Sequence, residues 1–375
     1  MKRGMFPLCL GVLVLVAIGL TMVASVSDAE AIRLGGSANK FASRQLLFMG
    51  VAFVLGFLVL PRLDYRLFLR NDVAVFLIIL VLLALLSVWI PGVAAKVKGS
   101  NRWINIGSFR LQPSEFVRVA ICVLYARWCS SIRHRSEDFW RGVILPLVCL
   151  LPVLALLIKQ PDFGSTCLTA AMVLCLIYAS GARFWHVAGV AAAGFACLVV
   201  LLFADPEHRS RITSVYSSEN ADAEDTHQIN ASLQAFRRGG LQGVGYGNGI
   251  MKEGYLPEAH TDFILAMTGE ELGLRFTLLV VAANLLILYG GWRISRDCLD
   301  KFGKILAFGL TLHLCLAAAV NIAVVTKFAP TKGLALPFMS YGGSNMVASG
   351  LVLGLLLSVA RYGQTSLQKE PTFLR

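Results

Sequence analysis

With 375 residues, 57% hydrophobic and 15% charged side chains and a mean hydropathy of +0.69, this chain is not an ordinary soluble domain, which carries about 25% charge. Its formal net charge of +12 sits mainly in segments between long apolar runs. Nine cysteines show no CxxC spacing, and six histidines are scattered, which argues against a disulfide framework and a zinc site of the usual spacing.

Runs such as Phe6 to Ser25, Val73 to Ile90 and Gly303 to Val325 are long enough to cross about 30 Å of hydrocarbon as helices, where every backbone polar group must be satisfied internally. In chain order, the expected architecture is all-α and polytopic, with about ten transmembrane helices near 6–26, 45–60, 73–91, 114–129, 142–158, 164–181, 184–203, 263–289, 304–325 and 346–361. The first follows Lys2 and Arg3 and precedes Ala29-Glu30-Ala31, as a signal peptide would. Its apolar core of roughly 19 residues is too long for that and favours a retained helix. Loops holding Arg62, Arg66, Arg70, Arg133, Arg135, Arg141, Arg183, Arg293 and Arg296 carry roughly twice the basic density of the opposite set, which places them and both termini in the cytoplasm.

A single membrane domain, residues 1–375, is expected, with one long polar segment, 204–262, facing outward between helices seven and eight. A loop of that length is usually functional or disordered. Its second half gathers Gly239, Gly240, Gly243, Gly245, Gly247 and Gly249, with no strand before them, and reads as tightly turning backbone rather than a dinucleotide fingerprint. The outer side is also basic, at Lys96, Lys98, Arg102, Arg110, Lys159, Arg237, Arg238, Lys252, Lys327 and Lys332. Two readings stay open: long loops tolerate charge, or these cations serve an anionic headgroup such as a diphosphate.

Four polar clusters interrupt the apolar pattern, all on the outer side. The first is Asn101-Arg102-Trp103-Ile104 with Gln112, Pro113, Ser114 and Glu115; Pro113 and Ser114 mark a helix start, and Arg118 lies one turn after Glu115 as a partner. Either this is a capped helix with an internal ion pair, or it is a site, because intramembrane charge is costly. The second, Gln160-Pro161-Asp162-Phe163-Gly164, is a tight turn in which Asp162 fits a helix cap. The third runs from Leu256 through Pro257, Glu258, Ala259, His260 and Thr261 to Asp262, then Gly269-Glu270-Glu271-Leu272-Gly273, with Arg275 one turn past Glu271. Asp262 is either a cap for helix eight or a working carboxylate, and Glu271–Arg275 reads as a structural pair. The fourth, Pro330-Thr331-Lys332-Gly333 and Leu336 to Ser344, including Ser340, has too many Gly, Pro and Ser residues for a lipid-facing helix. It must be buried in protein or line a wet cavity.

Together these motifs resemble the shape, elongation, division and sporulation (SEDS) family of bacterial peptidoglycan polymerases, over nearly the whole membrane region. Tyr255 to Asp262 and Pro330-Thr331-Lys332-Gly333 look like division-type rather than elongation-type members. The resemblance implies a protein of the bacterial cytoplasmic membrane that transfers glycan chains from the lipid-linked disaccharide lipid II during cell division. It also implies a class B penicillin-binding protein as transpeptidase partner, alongside other division proteins. The family's essential aspartate maps onto Asp262. Family members usually carry Lys where this chain has Arg118, which keeps charge but not geometry.

The implied reaction is an inverting displacement in which a sugar 4-hydroxyl attacks the lipid-linked anomeric carbon and undecaprenyl pyrophosphate leaves. Asp262 is the candidate base, although a helix N-terminus favours its anion and so weakens it; the alternative is that Asp262 holds a metal and positions the acceptor. Arg102, Lys332 and Arg118 are candidates for the pyrophosphate, with Mg²⁺ as the candidate cofactor and no organic one. Trp103, Gln112, Glu115, Gln160, Asp162, Glu258, His260 and Ser340 complete the candidate substrate-binding set. Rival functions are a lipid II flippase or other transporter, whose site belongs near the midplane, and a scaffold without catalysis.

Overall fold

The structure, a computed structural model, describes residues 2–33, 39–97, 100–107, 109–131, 137–204, 224–330 and 333–364. All ten expected stretches are helical. They are α1 (Lys2–Arg33), α2 (Asn39–Phe53, continued by tighter and wider turns to Arg62), α3 (Asn71–Leu86), α4 (Pro113–Ser131), α5 (Leu145–Lys159), α6 (Phe163–Ala179), α7 (Phe184–Ala204), the pair α9 (Ile264–Glu271) and α10 (Gly273–Asp297), α11 (Lys301–Val325) and α12 (Gly343–Tyr362). Among the described residues, seven helical stretches are long and apolar enough to cross a membrane: Arg3–Ser27, Ser43–Arg62, Asn71–Trp89, Phe139–Lys159, Gly273–Asp297, Lys301–Val325 and Gly343–Tyr362. Two further apolar helices, Phe163–Ala179 and Phe184–Cys197, are shorter. This is a multi-pass membrane protein. α4, the tenth, is set apart by Glu115, Arg118 and Arg127 along its length.

Burial sorts these helices into layers. α3 turns Val75, Phe76, Ile78, Ile79 and Leu83 outward, as a helix solvated by lipid must, while α12 is the most enclosed span, with Val352 to Ala360 all buried. α1 is a packed member of the bundle. A side chain on Gly290 of α10 would meet the Gly4 carbonyl at 2.7 Å, so the two helices approach through small residues.

Three features depart from the expectation. First, the region after α3 forms a three-stranded antiparallel sheet, β1 (Ala94–Val97), β2 (Ser100–Ile106) and β3 (Phe109–Leu111), pairing Ala94 with Ile104 and Ile104 with Leu111. These strands are too short to register against the surrounding helical pattern. Second, the long polar segment contains an amphipathic helix, α8 (Glu224–Gly239), docked through the Ser232 hydroxyl, which donates to the Val325 carbonyl at 2.8 Å. The rest of its first half, 205–223, lies outside the described residues.

Third, the helix expected over 263–289 is broken. Gly273 is left-handed (φ 82°), and a side chain there would strike the Gly243 amide at 2.4 Å, because the glycine-rich turn packs into the break. Glu270 and Glu271 therefore end a short helix instead of lying deep in a long one. Arg275 is exposed and does not pair with Glu271, whose partners are Lys252 and Ser25.

Candidate active site

Three segments converge at one end of the bundle. The first is the turn 254–263, shaped by Glu258 in a left-handed conformation (φ 57°) whose carbonyl accepts from the amides of Thr261, Asp262 and Phe263 at 3.1, 3.2 and 3.3 Å. The Thr261 hydroxyl donates to the Glu258 carboxylate at 2.9 Å. α9 then starts with Phe263 at its cap position and no side-chain cap, so Asp262 is not a helix cap. The second is the non-helical segment 333–342, in which Leu334, Leu336, Phe338, Met339 and Ser340 are buried while Gly333 is exposed. That fulfils the expectation that such backbone is sheltered by protein. The third is β2, carrying half-buried Arg102 and Trp103.

The first two are tied together twice. The Tyr341 amide donates to the His260 carbonyl at 2.9 Å, with the two rings 5.4 Å apart. The Asn321 side-chain amide of α11 donates to the Asp262 carbonyl and to the Leu334 carbonyl, each at 2.8 Å. The outcome is a gap at Gly333: a methyl group built there would lie 3.1 Å from Asp262 Oδ2 and 3.3 Å from Arg102 Nη2. A half-buried carboxylate and a guanidinium thus both approach the exposed Gly333, which has no side chain of its own. Lys332, a second of the three candidate phosphate ligands, lies outside the described residues.

A second, buried chain of hydrogen bonds braces this floor. The Gln112 amide donates to Ser344 Oγ at 2.9 Å, its side chain to Ser114 Oγ at 3.1 Å, and Ser114 Oγ to Asp162 Oδ2 at 3.2 Å. Asp162 also caps α6 by accepting from the Ser165 amide, as its turn position suggests. Gln160 donates to the Leu85 carbonyl at 3.0 Å, and Ser340 Oγ accepts from the Leu336 amide at 2.8 Å. Gln160 and Ser340 are 0% exposed and Asp162 3%, so these side chains hold backbone in place and are not open to a substrate.

Glu115 and Arg118 form the expected ion pair, both buried. Arg118 is 2% exposed, which removes it from the set that a diphosphate at the surface can reach; its Nε and Nη1 have no protein partner.

Residues 6–365 match the model of the FtsW, RodA and SpoVE family of cell cycle proteins. The chain belongs to that family. It is 38% identical over 353 residues to the probable peptidoglycan glycosyltransferase FtsW of Trichlorobacter lovleyi, covering 94% of this chain and 92% of the relative. Against the Escherichia coli protein of the same description it is 32% identical, covering 96% and 86%. Two solved structures share the fold. One is a chain from a peptidoglycan synthase complex that coordinates polymerization and crosslinking (TM-score 0.72, 24% identity, covering 92% of this chain and 97% of that one). The other is the rod shape determining protein RodA of Thermus thermophilus (TM-score 0.69, 23% identity, covering 96% and 97%).

In this FtsW/RodA-type chain, Glu270 and Glu271 form an ionic knot at the end of α9. Glu271 accepts from Lys252 Nζ at 2.7 Å, from Ser25 Oγ at 2.7 and 2.8 Å, and from the Gly247 amide at 2.9 Å. Glu270 pairs with Arg238 at 3.1 Å and accepts from the amides of Ile250 and Met251. The knot fastens the glycine-rich turn to α1 and α9, just upstream of the turn that presents Asp262. Ser25, Lys252 and Asn321 were not legible as site residues, since their partners are distant in sequence. The one signal was Asn321, a primary amide near the end of the apolar run of α11.

Among the described residues, no group of three or more His, Cys, Asp or Glu side chains is gathered as a metal cage. A diphosphate-bound Mg²⁺ needs only one or two protein carboxylates, the phosphate oxygens supplying other ligands. Asp262 fits that limited part.

Proposed function

We propose that this protein polymerises peptidoglycan strands from lipid II in the bacterial cytoplasmic membrane during cell division, with both termini cytoplasmic and a class B penicillin-binding protein as its crosslinking partner. The observation that carries this reading is that Asp262 and Arg102 meet beside the exposed Gly333, in a chain whose relatives are described as peptidoglycan glycosyltransferases.

The 4-hydroxyl of the acceptor sugar attacks the anomeric carbon of the lipid-linked donor, and the bond from that carbon to the diphosphate oxygen breaks with inversion. Asp262 takes the hydroxyl proton and returns it to water. Arg102, charged at every working pH and able to bond two oxygens at once, holds the departing diphosphate. Such a preorganised cation acts on charge that develops as the bond breaks. Asp262 would be the residue to hold a Mg²⁺ ion, in place of acting as the base, and the ion would supply further positive charge for the diphosphate.

The test uses the purified full-length chain with its partner transpeptidase, lipid II, and Mg²⁺ or chelator. Long glycan strands on a gel are the expected result. Lipid II crossing vesicle bilayers without strand formation favours a flippase, and neither activity leaves a scaffold. Arg102→Ala is expected to weaken lipid II binding by about tenfold or more, the scale of a charge-assisted hydrogen bond, and most visibly at low salt. Unchanged affinity returns Arg102 to a structural role.

A further inference from the structure

Asn321 departs from the habit of four polar side chains on or at the end of the two long helices beside the site. Thr277, Asn284, Thr311 and Thr326 all turn back and donate to carbonyls of their own helix, at Gly273, Val280, Ala307 and Ile322. That is how a polar side chain hides in an apolar helix. Asn321, 2% exposed, does the opposite and sends its amide donor out of α11 to two other segments.

The orientation of this amide follows from its surroundings. A flipped side chain would set its oxygen against the carbonyls of Asp262 and Leu334, so the NH₂ group must face them. Its Oδ1 is buried and has no protein partner, so nothing else holds the side chain in this pose. An orphaned acceptor is costly in a helix interior, and an apolar residue would avoid it. What the amide supplies is a fork across the two strands of backbone that border the gap: residue 262 on one side, and residue 334, directly after Gly333, on the other.

We propose that Asn321 is a positioning residue that sets the spacing between the Asp262 backbone and Gly333, where the lack of a Cβ lets Asp262 and Arg102 both come close. This rests on the polymerase reading above. Asn321 touches neither sugar nor diphosphate. It acts by holding the backbone from which the Asp262 carboxylate projects at a set distance from Gly333, anchoring both to a helix of the bundle. Gly333 contributes by absence, because a Cβ there would press on Asp262 Oδ2 and Arg102 Nη2 together. Reacting groups must sit within a fraction of an ångström of their working geometry, and a displacement of about 1 Å can cost 10²-fold in rate.

The experiment compares Asn321→Leu, which keeps the branching at Cγ and removes both hydrogen bonds, with Asn321→Asp, which keeps one donor while protonated. Gly333→Ala alters an exposed position and removes no side-chain contact, so it serves even where an Asn321 variant does not fold. All are assayed with the partner present for strand formation at saturating lipid II, for lipid II affinity and for thermal midpoint. The expected result is a kcat lowered about 10²-fold by Asn321→Leu and less by Asn321→Asp, with affinity changed by less than about threefold. Gly333→Ala is expected to lower kcat without moving the midpoint. Wild-type kcat in Asn321→Leu and Gly333→Ala overturns the proposal. So does a loss in Asn321→Leu whose kcat, affinity and midpoint fall together while Gly333→Ala behaves as wild type. Asp262→Asn, run alongside, separates the two layers. If it still makes strands, the polymerase reading of Asp262 fails; if it is inactive while the Asn321 and Gly333 variants are normal, only the positioning role fails.

Discussion

Asp262→Asn is expected to lower strand formation by about 10²- to 10⁴-fold, the range that a positioned general base contributes. The substitution keeps the shape of the side chain and removes its charge and basicity. Its backbone consequences are small, because the fold holds residue 262 by its main chain: its amide donates to the Glu258 carbonyl and its own carbonyl accepts from Asn321. α9 takes no cap from this side chain, so no helix start is lost with the charge. Thermal midpoint and lipid II binding should therefore stay near wild type while the rate falls. Full-rate polymer from the Asn variant would take Asp262 out of the chemistry. A parallel fall in midpoint would make it a structural residue instead.

Glu271→Ala should produce the largest loss of stability. Its carboxylate is 0% exposed and neutralises Lys252, whose side chain is 8% exposed. Removing one partner of such a pair leaves a buried charge uncompensated, at about 3–5 kcal/mol. It also strips the Gly247 amide and the Ser25 hydroxyl of their acceptor, so the glycine-rich turn should loosen from α1. The measurable signs are a lowered thermal midpoint in detergent and faster tryptic cleavage at Lys252. Because the cost lies in the orphaned lysine, Glu271→Gln combined with Lys252→Met should be milder than Glu271→Ala alone. A Glu271→Ala protein that melts and resists trypsin like wild type would show that the knot holds nothing.

The ten helical stretches, the Glu115–Arg118 pair and the cap at Asp162 were legible in the sequence because each rests on local rules. Apolar runs longer than the bilayer is thick must be helical, residues one turn apart on a helix meet, and an aspartate before a helix bonds its first amides. Those rules misled where a distant segment intervened. Glu271 had Arg275 one turn away, but the glycine-rich turn wedges in at Gly273, breaks the helix and brings Lys252 to the carboxylate. Gln160 and Ser340 carried the look of a binding motif, yet the packed interior turns them inward as braces.

The sequence alone determined that the chain lives in a membrane and which carboxylate to single out, because hydrophobic length and the order of polar motifs survive without coordinates. Only the tertiary structure decided that Asp262 and Arg102 meet beside Gly333, and that an amide in α11 ties the backbone of Asp262 to that of Leu334. These residues come from segments far apart in the chain, and closeness of that kind is set by how helices pack, not by spacing along the sequence.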